Sequence, residues 1–266
     1  MIKLYSLFIF LFLGHPSLSQ ILYGPKIASM GNAGVALQNV WSNNSNPAGL
    51  AAIPSLTFAA GYENKFTVKD LSAKSVVGVF PIKNYRLGAS FQTYGNSSYS
   101  LSKTGISLAR AFGKNLLTAI TLNHHQLNIE NYGNARAFSV EAGVQIEALP
   151  NFWLGAHLAN PNQSRFENNT DELIPAHLKF GAAFIMSDKL LISSEIEKVL
   201  DAQMDFKIGL EYKILELLAL RGGISANTFK QYAGFGLNYQ KFELDFSVSS
   251  HPVLGYSPQI AIGYVF

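Results

Sequence analysis

The chain has no cysteine in its 266 residues. A disulfide framework, a thiolate metal site and the usual lipoprotein attachment point are therefore excluded. Charge is scarce as well: Asp, Glu, Lys and Arg make up 14% of the residues, and the formal net charge is +3. That balance leaves no clustered basic face, so no nucleic-acid partner is expected. Long apolar runs are missing too. After residue 13 no stretch reaches the ~20 apolar residues that a membrane-spanning helix needs, although 48% of the chain is hydrophobic. No set of nucleophile, base and orienting group stands out. His124 and His125 are neighbours in an alternating segment, which sends their side chains to opposite faces and keeps them from sharing a metal. The expectation is a non-enzyme with no metal and no cofactor.

What is present begins with an export leader. MIKLYSLFIFLFLGHPSLSQ carries one cation at Lys3, an apolar run from Leu7 to Leu13, and the small residues Ser17 and Ser19 ahead of Gln20. This predicts a signal peptide over residues 1–19. An exported, rather apolar chain without apolar helices fits a transmembrane β-barrel, whose apolar residues are dispersed at every second position.

From residue 55 the period is indeed two. In RAFSVEAGVQIE, Phe138, Val140, Ala142, Val144 and Ile146 share one face, while Ser139, Glu141, Gly143, Gln145 and Glu147 share the other. MDFKIGLEYK and FELDFSVS alternate in the same way. Such segments have one apolar and one polar face as strands, whereas a helix would scatter them. Fourteen are found, at 55–63, 72–80, 85–94, 98–111, 115–127, 136–148, 151–160, 176–185, 189–198, 203–213, 217–225, 231–239, 241–249 and 258–266. Most are near the ~9 to 11 residues that a tilted strand needs to cross a bilayer, and longer than the ~5 or 6 usual in soluble sheets. A secreted β-sandwich is disfavoured on that ground.

Every second connection is tight, as at Pro150 and Asn151 or Ser187 and Asp188, and those between are longer, notably PNQSRFENNTDELIP, NIENYGNA and SHPVLGYSP. Outer-membrane barrels pair short periplasmic turns with longer outer loops. The predicted fold class is thus all-β: a transmembrane antiparallel β-barrel of about 14 strands over residues 55–266. The last strand ends on alternating residues that include Tyr264 and Phe266. They are placed at the inner interface, where amphipathic rings are favoured, and the pattern resembles the recognition signal that the barrel-assembly machinery reads in outer-membrane proteins. Fourteen strands enclose more space than side chains alone can fill. Residues 20–54, rich in glycine, alanine and turn formers, are therefore expected to fold inside the lumen as a hatch, with Asn46, Pro47, Ala48, Gly49 and Leu50 as its motif. Arg86, Glu141, Lys179, Glu195, Lys207 and Arg221 all fall on inward faces. They are expected to form a charge network around the hatch.

The stretch ASMGNAGVALQNVWSNNSNPAGLA, from Ala28 to Ala51, resembles the N-terminal signature of the FadL-like outer-membrane family, in particular its PorV/PorQ branch. ELIPAHLKFGAAF and SSHPVLGYSPQIAIGYVF are similar to that family's proline-led mid-chain strand and its closing hairpin. The resemblance implies a fourteen-strand barrel with an N-terminal hatch, in the outer membrane of a Gram-negative bacterium of the Bacteroidota. It also implies a role as scaffold or cargo shuttle in type IX protein secretion; the alternative it implies is FadL-like passive transport of hydrophobic small molecules. Expected partners are outer-membrane lipid, the barrel-assembly machinery, a secretion translocon or exported cargo, and a hydrophobic ligand in the lumen. The chain departs from that family in its shorter length and smaller outer loops.

Overall fold

The computed structural model describes residues 22–167, 173–227 and 229–266; the leader predicted over 1–19 lies outside them. Fourteen strands form one antiparallel, closed barrel in which each strand pairs with its sequence neighbours and the first with the last. In chain order they are β1 (Thr57–Asn64), β2 (Ser72–Ile82), β3 (Tyr85–Gly95), β4 (Tyr99–Phe112), β5 (Leu116–Ile129), β6 (Gly133–Leu149) and β7 (Phe152–Ala159). The second half comprises β8 (His177–Ser187), β9 (Leu190–Val199), β10 (Asp205–Lys213), β11 (Leu218–Ser225), β12 (Lys230–Tyr239), β13 (Phe242–His251) and β14 (Gly255–Val265). Closure removes the free edges that would otherwise leave backbone groups unpaired in lipid.

The alternation in the sequence becomes the two faces of the wall. On β6, Ser139, Glu141 and Gln145 point inward and are buried, while Phe138, Val140, Val144 and Ile146 point outward and are exposed. Ile120, Phe138 and Phe206 are each more than half exposed. A continuous outer surface of this kind is unfavourable in water and suited to hydrocarbon. We therefore treat the strands as membrane-spanning.

Two of the three long connections are shorter than expected. Strand β6 begins at Gly133 and β14 at Gly255, so NIENYGNA and SHPVLGYSP contract to the turns 130–132 and 252–254. Asn131 and Gly133 adopt left-handed backbone angles, φ 67° and 93°, which allow a reversal in a few residues. The difference between the two ends of the barrel thus rests mainly on the connections 65–71 and 160–176. The wall is also uneven in height. Strands β4, β5 and β6 are 14, 14 and 17 residues long, against 8 for β1, β7 and β11. The tall ends of β5 and β6 beside the turn 130–132 give the β7–β8 connection something to pack on: its Phe166 is buried against Leu127, Ala135 and Ala137.

The space inside is filled by the chain ahead of β1. It contains a helical turn α1 (Pro25–Ala28) and two 3₁₀ turns, Val40–Asn44 and Pro47–Ala52. Ile27, Met30, Val35, Trp41, Ala48 and Leu50 are all at most 2% exposed. Several of them pack with Ala59, Val77, Val79, Ala109, Leu117 and Ala119, which point inward from the strands. Small wall residues opposite large plug residues are how a wide barrel is filled to interior density.

Candidate functional site

Asn46 starts the second 3₁₀ turn from an extended backbone (φ −142°, ψ 104°), and its Oδ1 accepts from the Ala48 amide at 3.2 Å. Pro47 follows at the first helical position, where a missing N–H costs nothing. The Asn46 amide nitrogen donates to the carbonyl oxygens of Val35 at 2.7 Å, Val144 at 3.2 Å and Ala156 at 3.3 Å. One side chain thus caps a turn, joins two parts of the plug and bonds to two wall strands. Ala48 and Leu50 are fully buried. A side chain at Gly49 would meet the Leu37 carbonyl oxygen at 2.5 Å. The Asn-Pro-Ala-Gly-Leu motif is therefore a seat for the plug rather than a lining of an open path.

The wall is shaped to receive that seat. Gly143, Gly155, Gly181, Gly209, Gly223 and Gly234 lie on adjacent or nearby strands, all facing inward, and each lies against plug atoms. At Gly155 an added Cβ would stand 2.3 Å from the Val35 carbonyl oxygen; at Gly223 it would stand 2.2 Å from the Gly31 nitrogen. These glycines form a belt where the plug backbone runs directly along the wall. Glycine in a strand weakens it and marks a close backbone approach.

Charged groups complete the seat. Glu195 accepts through one oxygen from the amides of Gly34 at 2.9 Å and Val35 at 2.8 Å, and through the other from Lys207 at 2.9 Å. Lys207 also donates to Glu197. Glu197 in turn bonds His177 Nδ1 at 2.9 Å and lies 3.6 Å from Lys179, which donates to the Tyr23 hydroxyl at 2.9 Å. Two lysines and two glutamates balance here, and a buried set of this kind is tolerable only when every member is paired. Glu141 forms a second cluster with Lys103 at 2.6 Å, Asn123 at 2.8 Å and His157 at 3.0 Å. Arg221 forms a third with Glu211 and Asp245, both at 2.6 Å.

Of the six charged residues predicted to share a network, Glu195, Lys179 and Lys207 stand together, while Glu141 and Arg221 each anchor a separate cluster. Arg86 is a correction: it donates instead to the carbonyl oxygens of Ile53, Lys83 and Tyr85. It sits at the barrel rim, next to the β2–β3 turn and where the chain leaves the plug, with these backbone carbonyls within its reach. Sequence reasoning passed over Lys103, Asn123, His157, His177, Glu211 and Asp245, although their inward parity on the strands was available. His125 points inward and bonds Ser139 at 2.8 Å, whereas His124 packs outward on the Phe138 ring. Tyr264 and Phe266 form an aromatic cluster with Phe242 and Phe58 beside the Phe266-to-Leu56 backbone bond.

Two cavities lie outside the plug, at the end of the barrel that carries the β7–β8 connection. The first, about 80 Å³, has an apolar roof of Tyr99, Leu101, Phe166, Leu173, Ile174 and Pro175. Its floor is polar, with Lys103, His125, Ser139, Glu141 and His177. Asn160 fixes the roof segment by donating to the Ile174 carbonyl at 2.6 Å and accepting from the Ser164 amide at 3.0 Å. The second is a polar vestibule of about 530 Å³ that includes Glu63, Lys65, Asp205, Lys207, Lys230 and Tyr232.

No protein-family model and no curated protein sequence matches this chain. Solved structures do. The deltaS2 mutant of the monoaromatic hydrocarbon channel TodX superposes with a TM-score of 0.76 at 11% identity, over 91% of this chain and 98% of that one. The Ralstonia pickettii toluene transporter TbuX does so at 0.70 and 15% identity, over 94% and 100%. A Pseudomonas aeruginosa FadL homologue does so at 0.63 and 10% identity, over 89% and 96%. At such identities the likeness is one of architecture: the chain has the FadL-like fold, a closed fourteen-strand antiparallel barrel.

Proposed function

We propose that the protein is a non-enzymatic outer-membrane channel for a small hydrophobic or amphipathic molecule, with residues 20–54 as its hatch. The carrying observation is the apolar-roofed cavity just outside a plug that is held to its barrel by hydrogen bonds, ion pairs and packing. A molecule from outside meets the cavity first and the plug second. The shared fold supports this reading, since the similar structures include channels for monoaromatic hydrocarbons and a toluene transporter. Tight seating of the plug means that passage requires it to shift, so the closed barrel is the resting state.

The test is uptake of a labelled hydrophobic tracer by Gram-negative host cells with an intact lipopolysaccharide layer and no comparable channel of their own. Expression should raise the initial uptake rate several-fold and saturably. Uptake equal to that of cells carrying an empty vector would contradict the proposal.

The N-terminal stretch from Ala28 to Ala51 supports a second reading, a scaffold or cargo shuttle in type IX secretion in the Bacteroidota. Detergent-solubilised outer membranes should then yield translocon components or exported proteins together with the barrel. Normal secretion in a deletion strain, with neither recovered, excludes it.

The aromatic end of β14 supports contact with the barrel-assembly machinery. Removing Phe266 takes away a ring that packs on Tyr264 at 4.7 Å and Phe58 at 5.9 Å. Membrane-inserted barrel is expected to drop several-fold at equal synthesis, measured as the heat-modifiable band in outer-membrane fractions. An unchanged band excludes the role.

A further inference from the structure

The floor of the outer cavity is more polar than a bare hydrocarbon requires. Lys103 uses one of its three N–H donors on Glu141 at 2.6 Å, and the residue lines the cavity. His177 bonds Glu197 through Nδ1 at 2.9 Å. Because a carboxylate only accepts, that nitrogen carries the proton. With its proton on Nδ1 and none on Nε2, the ring presents Nε2 as an acceptor, and among the described residues no hydrogen bond reaches that nitrogen. His125 likewise uses Nε2 on Ser139 at 2.8 Å and leaves Nδ1 over. The floor thus offers an unused donor and unused ring nitrogens beneath an apolar roof.

The charge balance narrows the head group further. Lys103 is already matched by Glu141, whose two oxygens also take Asn123 and His157. A ligand carboxylate would place a second anion beside Glu141, and Lys103, the only lysine or arginine among the described residues lining the cavity, is already matched by Glu141; like charges in a partly dry site repel strongly. A hydrocarbon would leave the Lys103 and histidine positions unmatched once water is expelled, which is unfavourable for each group. A hydroxyl satisfies both sides: its oxygen accepts from Lys103 and its proton goes to a histidine nitrogen. The volume of about 80 Å³ is smaller than the ~150 Å³ in which an engineered apolar cavity takes up benzene. It has no room for a long chain whole, which limits an occupant to about the size of one small ring.

We propose that the outer cavity is a recognition site for a small, neutral, hydroxylated apolar molecule of the phenol type. This rests on the channel reading above and names the class of molecule it selects. Phenol and toluene test it directly, because a hydroxyl and a methyl group are nearly equal in size; benzoate adds the charge. Binding is measured by titration calorimetry to the barrel in nanodiscs, with uptake into empty nanodiscs subtracted. Phenol is expected to bind at least tenfold more tightly than toluene or benzoate, in keeping with sites built to pair a substrate hydroxyl. Lys103→Met should reduce that preference for phenol to under threefold, and Lys103→Arg should keep most of it. Toluene or benzoate binding as tightly as phenol overturns the inference and leaves the channel reading standing, as does a phenol preference unchanged in Lys103→Met. Binding of none of the three overturns the inference and removes the cavity as support for the channel.

Discussion

Glu195→Ala should unseat the plug while leaving the barrel assembled. The carboxylate is fully buried and holds four groups at once: the Gly34 and Val35 amides, Lys207, and Lys179 at 4.0 Å. Removing it leaves two lysines facing Glu197 alone, and two plug amides without an acceptor. Breaking a buried pair from one side costs on the order of 3–5 kcal/mol, and each unsatisfied buried amide adds about 1–3 kcal/mol. The loss falls on the contact between plug and wall, because the hydrogen-bonded ladder of β9 with β8 and β10 does not involve the side chain. Hydrogen exchange at the Gly34 and Val35 amides should therefore speed up by at least a hundredfold, while exchange in β9 changes little. Glu195→Gln keeps an acceptor and should show a smaller change. Unaltered protection of the two amides in the alanine variant would mean that packing alone seats the plug.

Gly155→Val is expected to have the second large effect, by sterics rather than charge. The new Cβ would lie 2.3 Å from the carbonyl oxygen of Val35 and 2.7 Å from its carbonyl carbon. Both are backbone atoms, so rotation of a side chain gives no relief. Val35 is also held by Glu195, Asn46 and Gln145, and a shift there strains all three contacts. Overpacking usually costs about 1–3 kcal/mol; with backbone against backbone, the plug is expected to leave its seat. Single-channel conductance in planar bilayers should rise from near zero to a steady open level. Gly222→Val is the control, since its nearest neighbour would be the Tyr232 carbonyl oxygen at 3.9 Å, and it should conduct as the parent does. A closed Gly155→Val barrel would show that the glycine belt is not what admits the plug.

The barrel was legible in the sequence because a period of two is a local signal. Phe138, Val140, Val144 and Ile146 against Ser139, Glu141 and Gln145 already state which side of β6 meets lipid. The same parity placed all six predicted charged residues on inward faces. It did not show which of them meet, because partners across a barrel depend on register and height. Lys207 reaches Glu195 on the neighbouring strand, whereas Arg86 ends at the rim among carbonyls. Gly143 and Gly209 read as members of a polar face, and their closeness to the plug backbone appeared only once the plug was in place. Turn lengths were overread at Asn131 and Gly255, where a left-handed residue replaces a loop. The roof of the cavity had a faint signal in PNQSRFENNTDELIP: Phe166, Leu173 and Ile174 are apolar residues in an otherwise polar connection, and they fold inward.

The central claim is that passage requires the plug to move away from the wall. A chain without native cysteine allows a direct test. Asn43 of the plug and Ser107 of β4 meet through a side-chain hydrogen bond of 2.7 Å, so cysteines at both positions can be joined by oxidation or a short bifunctional reagent. Uptake of a hydrophobic tracer should fall to the background of cells without the barrel when the pair is joined, and recover when it is released. Undiminished uptake with the plug fastened would contradict the account.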